Sequence, residues 1–348
     1  MPRPATLQDV ANKTGVHRST VSLALREHAS IPPATRARIK SMAEELGYRA
    51  NPLVTALMKS RRTGLQVKHA VLAYVTNHST RFGWRPPELE QPNFFPGAVE
   101  RAKDFGFKLE HFWMAEPGMR PERFGDILRA RGIHGIMVGR LPVDLHRLEL
   151  DWGSFSCVAL GLTLEAPKLH HVAENHFFTT RHSMQQCIAR GYHRIGFGFT
   201  TPNDYPRVGD RWIGGYVSQQ RRLAVKDRIP IYEGDPTNQR EFLTWFKRYR
   251  PDAVLVSRAS PVIKWLRDAG VHVPGDVGIV ELRNEQPELG HSGVYHMPEK
   301  IGALAVETLL GLIHRGERGI PGDPHEVLLA GTWLEGTTLP RRKGGGGD

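Results

Sequence analysis

Three short amphipathic segments open the chain. In TLQDVANK, Leu7, Val10 and Ala11 recur at the i, i+3, i+4 spacing of one helical face, and Gly15 follows as a residue that tolerates positive φ at a helix end. A second short helix, entered at Val16, turns Val21 and Leu25 inward four residues apart and leaves His17, Arg18, Ser19, Ser22 and Leu23 on or near its outward side. A third opens at Pro32 and Pro33, where the missing amide does least harm, and buries Ile39, Met42, Ala43 and Leu46. Three helices around one small core result, and the outward face of the second can enter a major groove.

From Ala70 the pattern changes. The runs AVLAYV, KLEHFWM, IHGIMVG and FSCVALGL predict strands, separated by helices in PGAVERAKDFGF, where Ala98, Ala102 and Phe105 mark the inner face, and in PERFGDILRARG. The alternation restarts with a helix from about Phe177 to Arg190, then RIGFGF, a helix from about Arg211 to Ala224, DAVLVS, a helix ending near Gly270, and DVGIVEL. Such alternation predicts parallel sheets built from right-handed crossovers, in two doubly wound lobes. The last helix, EKIGALAVETLLGLIHRG, carries Ile301, Ala305, Leu309 and Leu312 on one face and is expected to return to the first lobe. A ligand cleft then lies between the lobes, at the carboxyl ends of their strands.

Charge sharpens this division. The first 62 of 348 residues hold 11 Lys/Arg against 4 Asp/Glu, and the remainder 36 against 32, so the basic excess sits on the helical segment, where phosphates would be neutralised. Cys157 falls in an apolar run and Cys187 on an expected inward stripe with Phe177, Met184 and Ile188, and two buried thiols suit a reducing cytoplasm. There is no charged-then-apolar leader and no stretch of about 20 apolar residues, so the expected location is the cytoplasm, on the nucleoid when DNA is bound, with no membrane partner. Gly196 and Gly198 in RIGFGF lack the third glycine of a dinucleotide cradle, and no P-loop, nucleophile elbow or HExxH appears. His170, His171 and the other histidines show no metal-ligand spacing. No enzymatic activity, cofactor or metal is expected.

The motifs T-L-x-D-V-A, G-V-x-x-x-T-V-S, T-R-x-x-I, L-G-Y and N-x-x-x-x-x-L occur in order between Thr6 and Leu57. Together they resemble the DNA-binding headpiece of the lactose/galactose repressor (LacI/GalR) family of bacterial transcriptional regulators. RGIHGIM, the EN of VAENHF, ARGYHRIGF, the R-x-x-G from Arg211 to Gly214, PDAVLVS, and GVHVPGDVGIVEL leading to EKIGALAVETLL resemble that family's effector domain over roughly residues 70–335. The resemblance implies an all-α helix-turn-helix headpiece over 1–50 and a hinge helix and linker over 51–66. It further implies a two-lobed α/β effector-binding and dimerisation domain of the type I periplasmic-binding-protein-like class over 67–340, then a disordered tail over 341–348.

Site residues follow from the same resemblance. Arg18 and Ser19 stand at the leading base-reading positions, and Leu23 at a third, where many members carry a polar side chain. Thr6, Thr20 and Ser22 stand at phosphate-contacting positions, Leu7 near the groove edge, Asn51 at the start of the linker, and Leu57 at the minor-groove wedge. In the effector domain Arg211 aligns with a ligand-reaching arginine, Trp212 can take an aromatic position that Tyr216 misses by one, and Glu174 with Asn175 replaces an Asp-Asn pair. Arg283, beside Asn284, stands where the family has an aspartate, which points toward an acidic or phosphorylated ligand; His296 lies near the hinge. Asn77, Trp84 and Phe94, in the loop after the first strand, can form a stacking wall, loop core or dimer surface. The implied function is a ligand-responsive, sequence-specific DNA-binding repressor of sugar or related metabolite use. Its expected partners are a twofold operator, a second copy of the chain and a sugar or sugar-derived effector. The alternative is a periplasmic-type solute-binding protein, which would need a secretory leader.

Overall fold

A computed structural model describes residues 7–25, 30–46, 70–85, 93–200 and 210–342. Helices α1 (Leu7–Thr14), α2 (Arg18–Leu25) and α3 (Pro33–Glu45) enclose Val10, Ala11, Val21, Ala24, Ile31, Ile39 and Ala43. The inward partner of Val21 is Ala24, not Leu25: the small residue admits the neighbouring helices, and Leu25 is left at the core margin with Leu23. Gly15 takes φ 67° at the end of α1, and Val16 N donates to Ala11 O at 3.2 Å, so the chain reverses within two residues.

The first lobe is a six-stranded sheet, parallel throughout, in the order β10-β5-β4-β3-β1-β2. Its strands are β1 (Ala70–Thr76), β2 (Phe107–Trp113), β3 (Gly135–Val138), β4 (Ser156–Leu160), β5 (His170–Glu174) and β10 (Glu326–Leu329). Helices α4 (Phe94–Asp104), α5 (Pro121–Ala130) and α10 (Pro298–Arg315) cover it. As expected, α10 returns to this lobe, burying Ile301, Ala305, Leu309 and Leu312 against α4 and the sheet. The second lobe has the order β11-β9-β8-β7-β6, with β6 (Ile195–Gly198), β7 (Ala253–Val256), β8 (Gly278–Glu281) and β9 (Gly293–Tyr295) parallel and β11 (Thr332–Leu334) antiparallel to β9. Its helices are α6 (His176–Ala189), α7 (Asp210–Gln220), α8 (Gln239–Tyr249) and α9 (Ala259–Asp268).

The chain passes between the lobes three times: at Asn175, at His296–Met297 and at Ala330–Gly331. These crossovers lie side by side, since Asn175 N donates to Leu329 O at 2.8 Å and Thr332 Oγ1 lies 3.3 Å from Met297 Sδ.

Two expectations are corrected here. Cys157 and Cys187 are buried free thiols, but Phe177 and Ile188 do not share the inward stripe with Cys187 and are exposed. The inner face of α6 is His176, Thr179, Thr180, Ser183, Met184 and Cys187, a largely polar stripe that an apolar pattern does not mark. Arg342, placed by the sequence in a disordered tail, is anchored: its guanidinium donates to Asp252 at 3.1 Å and lies 4.9 Å from the centre of the Tyr192 ring.

Candidate functional site

On the headpiece, Arg18 and Ser19 are exposed at the amino end of α2. His17 organises this end: its Nδ1 lies 2.8 Å from Ser19 Oγ and accepts from Ser19 N at 3.3 Å. Thr20 and Ser22 are half-buried, and Leu23 packs on the headpiece core, which supplies a structural reason for its apolar character. Thr6, Asn51, Leu57 and the side chain of Leu7 lie outside the described residues.

In a parallel sheet the loops leaving the carboxyl ends of the strands share one edge, so residues just past those ends converge. Arg140 lies two residues past β3, Arg258 two past β7 and Arg283 two past β8, while Glu174 ends β5. Arg140 pairs with Glu174, and its guanidinium lies 4.5 Å from the centre of the Phe94 ring. Arg258 donates to Glu285 at 2.5 Å and approaches Glu281 at 3.9 Å, and His291 Nδ1 lies 2.7 Å from Glu281. Arg140, Glu174 and Arg283 act electrostatically on one another and on His176 and His296, which joins groups of both lobes in one neighbourhood. Glu174 Oε2, 3.8 Å from His176 Nε2, and Asn284 Oδ1 are buried acceptors without a hydrogen bond, and Trp84 Nε1 is a buried donor without one; a polar ligand would satisfy such atoms.

The protonation states follow from burial and charge. Burial of Glu174 favours its neutral form, but Arg140, His176, His296 and a backbone hydrogen bond together outweigh that and hold the carboxyl down at about 2. Burial lowers His176 to about 3 against the pull of Glu174, and lowers His296 to about 4. Both imidazoles are therefore neutral at pH 7 in the folded protein. An unfolded histidine titrates near about 6.5, so between that pH and about 4 the unfolded chain takes up protons that the folded chain refuses. Stability is thus full above the unfolded value and falls with pH, by about 1.4 kcal/mol per pH unit for each such histidine. Urea unfolding at pH 7 and pH 5 should give a lower midpoint at pH 5, with a smaller drop in His176→Asn. A drop of the same size in that variant would mean that His176 is not held neutral.

The remaining residues inferred from sequence lie as follows. Asn77 follows β1 at the cleft-facing end. Trp84 does not form an open stacking wall: Tyr74, Phe95 and His111 surround it at 5.1–5.3 Å, with Arg85 at 4.7 Å, as in a loop core. Asn175 caps α6, accepting from Phe178 N at 2.9 Å. Trp212 is fully buried in the second-lobe core, where it stacks on Phe199 and meets the His176 ring edge-on at 5.8 Å between ring centres. Arg211 reaches across to the first lobe. Its guanidinium is bound twice to Glu326, which pairs with His171 rather than with the strand end at Glu174. His296 stands at a crossover, its ring 5.7 Å from that of His176. Sequence reasoning missed Arg140, Arg258, Glu285 and His176. A signal was present: VGR, VSR and ELR each set an arginine just past an apolar strand run. Among the described residues no group of three or more His, Cys, Asp or Glu is placed to hold a metal ion.

Comparisons with known proteins agree with this layout. Residues 6–51 match the bacterial regulatory proteins of the lacI family, and residues 184–339 match the periplasmic binding protein-like domain. The HTH-type transcriptional regulator CelR of Thermobifida fusca is 27% identical over 297 residues, covering 80% of this chain and 82% of that protein. Catabolite control protein A of Staphylococcus xylosus is 22% identical over 347 residues, covering 94% and 98%. The fold is also that of the transcriptional regulator CelR in its cellobiose complex, with a TM-score of 0.55 at 22% identity over 96% of this chain and 99% of that one. The lac repressor dimer bound to operator and an anti-inducer gives a TM-score of 0.53 at 18% identity over 97% and 100%. With a headpiece that matches the lacI family, a periplasmic binding protein-like domain behind it and transcriptional regulators as relatives along most of its length, the chain is similar throughout to bacterial regulators of the LacI family.

Proposed function

We propose that this regulator is a homodimeric repressor that reads a twofold operator with α2 and is controlled by an uncharged, hydroxyl-rich effector, a sugar or sugar derivative, in the cytoplasm. The observation that carries the DNA reading is the exposure of Arg18 and Ser19 at the amino end of α2, on a headpiece with its own core. Arg18 can donate two parallel bonds to O6 and N7 of a guanine; Ser19 reads less selectively, and Thr6, Leu7, Thr20, Ser22 and Asn51 position the headpiece along the backbone and groove edge. Leu57, one from each subunit, would wedge a central base step. Two headpieces on one duplex gain effective concentration, which is the physical reason for a dimer.

The effector class rests on the cleft. Arg140, Arg258 and Arg283 face Glu174, Glu281 and Glu285, so charge there is already balanced, and the orphan acceptors Glu174 Oε2 and Asn284 Oδ1 require donors. Hydroxyl groups supply donors without adding charge. This revises the acidic ligand suggested by Arg283 in sequence, because Glu285 and Glu174 offset that arginine. CelR, a relative of the same fold, binds cellobiose, which supports a saccharide.

In vitro selection from random duplexes with the full chain should return a twofold-symmetric site. Arg18→Ala should then lose preference at one base pair per half-site, by about 10- to 100-fold, while nonspecific binding persists. Equal losses on every sequence would make Arg18 a phosphate contact.

A further inference from the structure

Arg211 and Glu326 join the lobes outside the crossovers. Arg211 lies in the first turn of α7 in the second lobe, and Glu326 opens β10, the edge strand of the first. Nη2 donates to Oε1 at 2.9 Å and Nη1 to Oε2 at 3.1 Å, a fork-to-fork pairing that fixes orientation as well as distance. The register of β10 against β5 sets Glu326 beside His171 and Leu329 beside Glu174. Glu326 is therefore three residues, about 10 Å of strand, from the crossover end of β10.

Three adjacent crossovers define a hinge line, about which two lobes can rotate. A directional bond standing off that line opposes the rotation. Both ends of this bond are firmly mounted: Trp212 and Tyr216 on α7 are buried in the second-lobe core, and β10 is paired with β5 along its whole length. We infer that the Arg211–Glu326 pair is a latch that holds the two lobes in the arrangement described here, so that an effector which rotates one lobe against the other works against this bond. Each side chain is 40% exposed, so the latch weakens as salt rises.

Hydrogen exchange on the full chain tests this, read at the Asn175 amide, which bonds to Leu329 O across two crossovers. Glu326→Gln and Arg211→Gln should each speed exchange there by about two- to fivefold. The double variant should exchange no faster than either, and the swap Arg211→Glu with Glu326→Arg should restore the slower rate. Amides of β7, in the middle of the second-lobe sheet, should be unchanged. Wild-type rates at Asn175 in both single variants, a double variant equal to the product of the two, or equal acceleration in β7 would overturn the latch.

Discussion

Gly302→Ala is expected to destabilise the first lobe by about 3 kcal/mol, lowering its unfolding temperature by about 6–12 °C. A Cβ at Gly302 would lie 1.9 Å from Phe94 O and 3.0 Å from Ala98 N, and one at Gly97 would lie 2.0 Å from Glu299 O. Each glycine of the α4–α10 contact thus faces the backbone of the other helix, which cannot turn aside as a flexible side chain would. The contact can only open, and that strips packing from Phe94, Ala98, Ile301 and Ala305. Gly311, on the same helix, is the control. Its Cβ would meet only the end of Arg315, at 3.3 Å, so Gly311→Ala should be neutral or stabilising by up to about 1 kcal/mol, because alanine loses less chain entropy. Equal melting temperatures for the two variants, by calorimetry, would contradict the close approach of α4 and α10.

Arg140→Ala should be still more costly, about 3–5 kcal/mol, since it leaves Glu174 buried without its cation. Arg140 is also the main influence holding the Glu174 carboxyl low, so in the variant that carboxyl should take up its proton at a much higher pH. Adding Glu174→Gln should recover a large part of the loss, because the neutral amide has no charge to bury. A double-mutant cycle by urea unfolding measures the coupling. Strict additivity would mean that the two side chains do not depend on each other.

The periodic parts of the fold were legible in sequence for a plain reason: their inner faces are apolar. Helices α1 and α3 and strands β1 to β4 and β6 to β8 fall where spacing and apolar runs predict them. Strand β5 was hidden because its sequence is HHVAE. All five residues are nonetheless buried, the histidines being satisfied by Glu317 and by Gly161 O, each at 2.8 Å. Helix α8 passed unmarked although Phe242, Trp245, Phe246 and Tyr249 keep helical spacing. The short strands β9 to β11 carry three or four residues each, too few to establish a period. Within the site, alignment led to Glu174, Arg283 and Asn284 at the strand ends, but it could not show which way Arg211 turns. That direction depends on Glu326, a partner 115 positions away that no local pattern connects to it.

The most direct measurement is a competition experiment: fluorescence anisotropy of the full chain on its selected twofold site against a scrambled duplex of equal length, at near-physiological salt. The expected result is a preference of about a thousandfold or more, with binding to both duplexes weakening steeply as salt rises. Equal affinity for the two duplexes would contradict sequence reading by the headpiece.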